Sequence, residues 1–378
     1  MKRLPMLVQC LLALMVASLF SVASADPVFP KATPSEVGLD DRLLDNLVRQ
    51  VGGAKHEMHS LLLLRSGHLV MEEYYNGYDE ARTHDLRSAT KSITSMLIGV
   101  AVDRGDIATI DQPLVPYVES RYPKLDLANK RDITLRHLLT MSGGLDCDDG
   151  DRKTKGQEDR MYRSRDWVRY FLELDVVAAP GLETRYCTGG VVALGAVLES
   201  STGMSVEAFA DEVLFEPLGI TRREWATFDR KRQIDTGGHL ELTPLGMVAI
   251  GQLVLNRGKH RGLQLVSEGW LDESTRAVTD IRGEPYGYLW WPMTPKYGER
   301  SVQTMIARGN GGQTIIVVPE FDLVFVTTSG YYNKPQSQKP FEFLYNAILP
   351  SVCELQADIP GLNVPETLPG SGCAAAFK

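Results

Sequence analysis

The stretch Arg87-Ser88-Ala89-Thr90-Lys91-Ser92-Ile93-Thr94-Ser95 leads into Met96-Leu97-Ile98-Gly99-Val100-Ala101-Val102, an apolar run that stops at Asp103-Arg104-Gly105. The pattern predicts a buried helix. Ser88 and Lys91 are three residues apart, so on that helix they share a face, one turn along. A serine hydroxyl is a weak nucleophile until a base takes its proton. A lysine serves as that base when an apolar setting or cationic neighbours favour its neutral form. The helix start adds free backbone N–H groups and a positive dipole end, suited to an anionic intermediate. Alone, the S-x-x-K spacing is weak, because an ordinary capped helix with a solvated lysine has the same pattern. Its company decides its weight.

Upstream, Asp40 is placed to cap a helix with apolar positions Leu43, Leu44, Leu47, Val48 and Val51, ending at Gly52-Gly53. Ser60–Arg65 and Leu69–Tyr75, joined across Ser66-Gly67-His68, read as a β-hairpin. Downstream, residues 111–284 are mostly helical in pattern. Thr134 caps Leu135–Met141, Ser164 caps Trp167–Leu174, Val191–Ser200 forms a small apolar helix, and Thr243 and Ser267 open two more. Strands return at Tyr286–Trp291, Ser301–Ala307, Thr314–Val318 and Leu323–Thr328, and a helix over 341–349 closes the core. Strands at both ends with helices between them predict an α/β fold of the α+β type: an antiparallel sheet built from N- and C-terminal strands, flanked by helices, with an inserted helical lobe. The expected division is 26–110 with 285–350 for the sheet, 111–284 for the lobe and 351–378 for a tail.

Met1-Lys2-Arg3, the apolar Leu11–Phe20 and Ala23-Ser24-Ala25 read as a secretory signal cleaved after Ala25, leaving a periplasmic or secreted protein with no stable membrane insertion. The chain carries a formal charge of −8, and loss of Lys2 and Arg3 makes it more acidic. An acidic chain without a basic stripe argues against a nucleic-acid partner. Cys147, Cys187, Cys353 and Cys373 remain after the leader, an even number that in an exported chain favours disulfides. Of the three pairings, Cys147–Cys187 with Cys353–Cys373 is favoured, since the second bond would pin a Pro/Gly-rich tail. Seven histidines show no ligand cluster, His56 and His59 lack the glutamate of H-E-x-x-H, and no G-x-S-x-G occurs. No metal and no cofactor are expected. Asp146, Asp148, Asp149 and Asp151 read as a solvated acidic loop, or else as a subsite for a cationic substrate end.

Three motifs occur in a fixed order: Ser88-Ala89-Thr90-Lys91; Tyr186-Cys187-Thr188 ahead of an apolar helix; and Arg308-Gly309-Asn310-Gly311-Gly312-Gln313 ahead of a strand pair. With Leu138–Leu145, Tyr286–Trp291 and Gly312–Pro319, they make the sequence resemble the serine β-lactamase and penicillin-binding-protein superfamily over about residues 35–350. The likeness is greatest to its class C-like hydrolases, which include family VIII-type esterases and 6-aminohexanoate-dimer hydrolases. The resemblance implies the β-lactamase/transpeptidase-like fold, Ser88 as acyl-accepting nucleophile, Lys91 as base or relay, and Tyr186 as second base or acid. It places the oxyanion hole at the Ser88 N–H and a strand edge near Asn310, Gly311, Gly312 and Gln313.

Two departures shape the expected substrate. The third-motif Lys or His is absent, with Gly309 or Asn310 in its place, unless Arg308 reaches in. Thr188 stands where an Asn or Ser is usual. Both favour hydrolysis of a small ester or amide over β-lactamase or D-Ala-D-Ala carboxypeptidase chemistry. A catalytically silent binding protein of the same fold is the non-enzyme alternative. Trp290 and Trp291 are candidates for an acyl-pocket wall, and because adjacent strand residues face opposite sides only one can serve; Trp290 is the one assigned.

Overall fold

A computed structural model describes residues 27–227, 233–297, 299–357 and 373. The leader with its cleavage after Ala25 lies outside the described residues, as does all of the 351–378 tail beyond 357 except Cys373.

Six antiparallel strands form the main sheet. They are β1 (Met58–Arg65), β2 (His68–Tyr74), β3 (Trp291–Met293), β4 (Thr304–Gly309), β5 (Gln313–Val318) and β6 (Leu323–Ser329), in the spatial order β3-β4-β5-β6-β1-β2. The N-terminal hairpin thus adds to strands from the far end of the chain, with Leu62 opposite Val326 and Leu64 opposite Val324. Leu61, Leu62, Leu63 and Leu64 are all fully buried, as are the apolar residues of β5 and β6. Interior strands covered on both faces read as continuous apolar runs rather than alternating ones.

Helix α1 (Asp41–Gly52) begins at Asp40, whose carboxylate accepts the Arg42 N–H at 2.9 Å. Its start is tied to the C-terminal helical run by Asp40 N donating to the Ser351 carbonyl at 2.8 Å. Helix α2 (Thr90–Asp103) follows the serine motif and is buried almost all round, from Thr90 to Ala101. Gly99 admits Trp270, whose Cδ1 would lie 2.4 Å from any Cβ at that position. Helix α3 (Thr188–Thr202) packs on α2, and Gly189 and Gly190 let Phe171 approach it. Helix α4 (Pro244–Leu255), opened by Thr243, lies on the sheet, with Gly251 against Val324 and Ile315. This part of the 111–284 stretch therefore packs with the strands.

The local differences from expectation have local causes. The helix at Trp167–Leu172 is capped by Asp166, not Ser164, because the Asp166 carboxylate accepts the Arg169 N–H at 3.0 Å. The expected strand Tyr286–Trp291 is two pieces, Glu284–Tyr286 and β3, since Leu289 adopts φ +63° and Tyr288 N bonds to the Ser274 carbonyl. Helix α3 starts three residues before Val191, at the tail of the Tyr186 motif. Disulfides join Cys147 to Cys187 and Cys353 to Cys373.

Candidate active site

The approach to Ser88 is bent. Arg87 holds φ +50°, a left-handed conformation costing a non-glycine residue about 1–2 kcal/mol. Its surroundings fix it there. Arg87 N donates to Asp85 Oδ1 at 2.7 Å, Leu86 N donates to the Leu240 carbonyl at 2.9 Å, and the Arg87 guanidinium reaches His239 Nε2 at 2.6 Å. Ser88 then sits in a short 3-10 turn, Arg87–Ala89, that continues into α2.

One turn on, the Lys91 side chain is 1% exposed, and its ammonium is the hub of the site. Nζ donates to Ser88 Oγ at 3.1 Å, to Thr188 Oγ1 at 3.0 Å and to the Gly237 carbonyl at 2.5 Å. Burial alone would lower the Lys91 pKa. The negative potential of Tyr186, Asp149, Glu158 and Asp235 outweighs it and raises the pKa above the ordinary lysine value. A neutral resting lysine, the condition set by the S-x-x-K reading, is therefore not what the surroundings favour.

The Tyr186 ring lies 5.0 Å from Lys91 Nζ, stacked on Trp291 at 5.9 Å and edge-on to Tyr286 at 6.3 Å. Of the tryptophan pair, Trp290 is fully buried in the core, and Trp291 is the one beside Tyr186. Trp290, the candidate for an acyl-pocket wall, thus sits in the core just before β3, outside the alternation of that strand.

On the third side, β3 pairs with β4 only from Thr304 to Ile306, so among the described residues Ala307–Gly309 have no strand partner on that edge. Gly309 is the glycine that meets the serine stretch: a Cβ there would stand 2.1 Å from the Leu86 carbonyl oxygen and 3.0 Å from Arg87 Cβ. Gly311 and Gly312, with φ of +99° and +94°, instead make the turn into β5, where Cβ atoms would strike the Tyr332 ring and Ser329 Oγ. The Asn310 side chain bonds to Asn333 at 2.8 Å. Gln313 opens the interior strand β5, its amide donating to Ser329 O at 2.7 Å and Asn310 O at 3.1 Å. The edge expected at Asn310–Gln313 therefore lies one step earlier, at Ala307–Gly309.

The acidic loop is where sequence reasoning missed most. Asp148 pairs with Arg282, and Asp146 accepts the Lys155 N–H at 3.2 Å. Asp149 turns inward, and its Oδ2 accepts both the N–H (2.8 Å) and the hydroxyl (2.7 Å) of Thr188, at the start of α3. Burial, then Glu158, push its carboxyl up to about 7. Asp235, fully buried, accepts the Tyr162 hydroxyl at 2.9 Å and His239 Nδ1 at 2.7 Å. Through Asp149 the loop forms part of the site's wall, while Gly150 and Asp151 stay exposed. The available signal was the cysteine pairing, since Cys147 and Cys187 bring residue 149 beside residue 188.

A cavity of about 260 Å³ opens beside Tyr186, lined by Tyr186, Ile281, Arg282, Glu284, Trp291 and Arg308. Arg308 does reach in, with its guanidinium 3.7 Å above the Trp291 ring and ion-paired to Glu284. Among the described residues no group of three His, Cys, Asp or Glu side chains is arranged to hold a metal ion. His59 faces His84 at 2.8 Å instead, its pKa brought down to about 4, chiefly by burial. The Ser88 hydroxyl, the Lys91 ammonium, the Tyr186 phenol and the strand edge at Gly309 converge at one place, an arrangement of the kind acyl transfer uses.

Comparison with known proteins agrees. The beta-lactamase family profile matches residues 41–342. The chain is 24% identical over 294 residues to a 6-aminohexanoate-dimer hydrolase of Paenarthrobacter ureafaciens, covering 72% of each. It is 27% identical over 217 residues to esterase EstB of Burkholderia gladioli, covering 53% of this chain and 54% of that one. Among solved structures, a Bacillus anthracis protein provisionally described as a 6-aminohexanoate-dimer hydrolase superposes with a TM-score of 0.70 at 20% identity, over 88% of this chain and 89% of that one.

Proposed function

Since the chain belongs to the beta-lactamase family, and is a serine hydrolase of that fold, we propose that it is exported and cleaves small esters or amides through an acyl-enzyme on Ser88. The observation that carries this reading is the Lys91 ammonium, buried and 3.1 Å from Ser88 Oγ, with the Tyr186 ring over it. In the proposed reaction Ser88 Oγ attacks the substrate carbonyl while its proton passes to the Lys91–Tyr186 pair. The oxyanion forms against the Ser88 N–H at the entry to α2 and the free edge of β4. Each such donor is worth about 2.7–4 kcal/mol to the transition state. The same proton then goes to the leaving group, and water repeats the sequence on the acyl-enzyme.

Small esters and amides are favoured because the named relatives are an esterase and an amide hydrolase, and because Asn310 is engaged with Asn333 where a free cation would hold a substrate carboxylate. Two disulfides suit an oxidising compartment, which supports export. One observation supports a second reading: Arg308 at the cavity beside Tyr186 supplies a cation near the third motif, as a β-lactamase or D-Ala-D-Ala carboxypeptidase would use.

Turnover of p-nitrophenyl butyrate by wild type and Ser88→Ala tests the proposal. Loss of turnover in the variant is expected, and wild-type rates in it would end the mechanism. Incubation with a β-lactam followed by intact-mass analysis separates the readings. No adduct beside rapid ester turnover favours the esterase or amidase, whereas a stable or turning-over adduct on Ser88 favours the second.

A further inference from the structure

Resting on the reading of Ser88 as nucleophile, we propose that Asp149 is a positioning residue of the reaction: acting through the Thr188 hydroxyl, it takes up the proton that keeps Lys91 charged and so leaves Lys91 neutral to receive the Ser88 proton.

The argument begins with an unbalanced charge. The three acceptors around the buried Lys91 ammonium, Ser88 Oγ, Thr188 Oγ1 and the Gly237 carbonyl, are all neutral. A buried cation is costly unless a counter-charge stands close by. Here the nearest one bonded into the network is a single hydroxyl away. Lys91 Nζ donates to Thr188 Oγ1 at 3.0 Å, and the same oxygen donates to Asp149 Oδ2 at 2.7 Å. A hydroxyl carries one proton and accepts through its lone pairs. With that proton directed at Asp149 and a lone pair turned to Lys91, the chain has a direction. The Thr188 N–H, also on Asp149 Oδ2 at 2.8 Å, holds the carboxylate in place.

The step balances without any outside reagent. An N–H bond of Lys91 breaks as an O–H bond forms on Thr188, and the original Thr188 O–H bond breaks as its proton joins Asp149 Oδ2. One cation and one anion become an amine and a carboxylic acid, a transfer that is uphill at rest, where the surroundings hold the Lys91 pKa above its ordinary value, and that is completed as the Ser88 proton moves. The amine lone pair then takes the Ser88 proton as Oγ bonds to the carbonyl carbon, and that proton leaves with the alcohol or amine. The relayed proton stays on Asp149 through acylation and deacylation. The Asp149 carboxyl, pushed up to about 7 by burial and then by Glu158, is a better proton acceptor than an ordinary carboxylate, which narrows its gap to Lys91.

The charged groups facing this pair come from every element around it. Glu158 approaches Thr188 Oγ1 at 3.3 Å and its backbone N–H donates to Asp149 Oδ1 at 3.1 Å. Tyr186 stands over Lys91, while Asp235, with Tyr162 and His239, lies beyond Gly237. Arg282 is engaged by Asp148. Asp149 is the one of these carboxylates whose bond to Thr188 is short and doubled.

The test measures single-turnover acylation of the full chain by p-nitrophenyl butyrate as a function of pH, for wild type, Asp149→Asn, Thr188→Val and Thr188→Ser. The wild-type rate is expected to rise with pH and reach half its plateau near 7. Asp149→Asn and Thr188→Val should each lose about 100-fold at neutral pH together with that limb, while Thr188→Ser stays within about threefold of wild type and keeps it. An Asp149→Asn enzyme within about twofold of wild type, or one slowed with its limb unmoved, overturns the proposal. The Thr188 pair keeps the question answerable should the Asp149 variant fail to fold. Acylation of Ser88→Ala at the wild-type rate would instead remove the underlying Ser88 reading, a result distinct from either.

Discussion

The two walls of the cleft are built on opposite plans. The α2 wall is a helix whose apolar residues are buried all round, and periodicity alone sets Ser88 and Lys91 on one face. The facing wall, from Asp146 to Thr188, has little regular structure and is held by Cys147–Cys187, by ion pairs such as Arg282–Asp148 and by the N-terminus of α3. The first wall places Ser88 beside Lys91, and the second carries charged groups whose field acts on Lys91. The three direct acceptors of the buried lysine are neutral, and its raised pKa comes from Tyr186 and then from the carboxylates of Asp149, Glu158 and Asp235. The geometry of the Ser88–Lys91 pair and the electrostatics around it therefore come from different parts of the chain.

The largest test of that division removes the hub. Lys91→Met, which keeps length and apolar packing, is expected to lower kcat/KM by at least about 1,000-fold in the ester assay, at the upper end of acid–base contributions. A loss under tenfold would give the proton to Tyr186 instead. Gly309→Ala probes the strand edge that meets the serine stretch. With Leu86 O only 2.1 Å from the new Cβ, the backbone of one wall must shift, and a fall of about 100-fold in kcat is expected, whereas Gly269→Ala, at a site of ordinary φ where a Cβ meets nothing within 4 Å, should leave kcat unchanged.

The two disulfides sharpen the comparison further. Cys147–Cys187 closes a 40-residue separation and Cys353–Cys373 a 20-residue one, so loss of either should cost about 3–4 kcal/mol of stability by the loop-closure account. Their effects on rate should part company. The Cys147→Ser/Cys187→Ser pair should also lose about tenfold or more in kcat, because it frees Asp149 and Tyr186 together, while Cys353→Ser/Cys373→Ser keeps full activity below its lowered Tm. Equal effects on rate would mean the loop wall does not depend on its tether.

The smallest effect concerns stability and pH. The Asp149 carboxyl, raised to about 7 from 3.8, binds its proton more tightly folded than unfolded. Its contribution is fully present below about pH 4 and disappears as pH rises through about 7. Asp149→Asn should therefore gain Tm relative to wild type as pH rises between those values, and parallel Tm curves would argue that burial and Glu158 do not raise the carboxyl.

How legible this was from sequence follows the same divide. The hairpin Met58–Tyr74, the strand pair β5–β6 and α2 carry local periodic signals and lie where the pattern put them. The order of S-x-x-K, Y-x-T and the glycine-rich segment identified the fold because it spans the whole chain. Trp290 and Trp291 do not follow the alternation of one strand because Leu289 at φ +63° breaks the segment before them, which no pattern of residue types announces. Gly311 and Gly312, expected beside the substrate, make a turn, and in sequence a glycine serving a turn looks like one serving a close approach such as that of Gly309 to Leu86. Asp149, Glu158 and Asp235 reach Lys91 only through tertiary folding, and four aspartates in six residues read as solvent-facing until one of them is found bonded to Thr188.

The central claim is a covalent bond, and it is tested most directly by catching it. Acid quenching of the full chain within the first turnover of p-nitrophenyl butyrate, followed by intact-mass and peptide mapping, should reveal one butyryl group on Ser88 and none in Ser88→Ala. Rapid hydrolysis with no acyl group on any residue, or an acyl group on another residue, would contradict it.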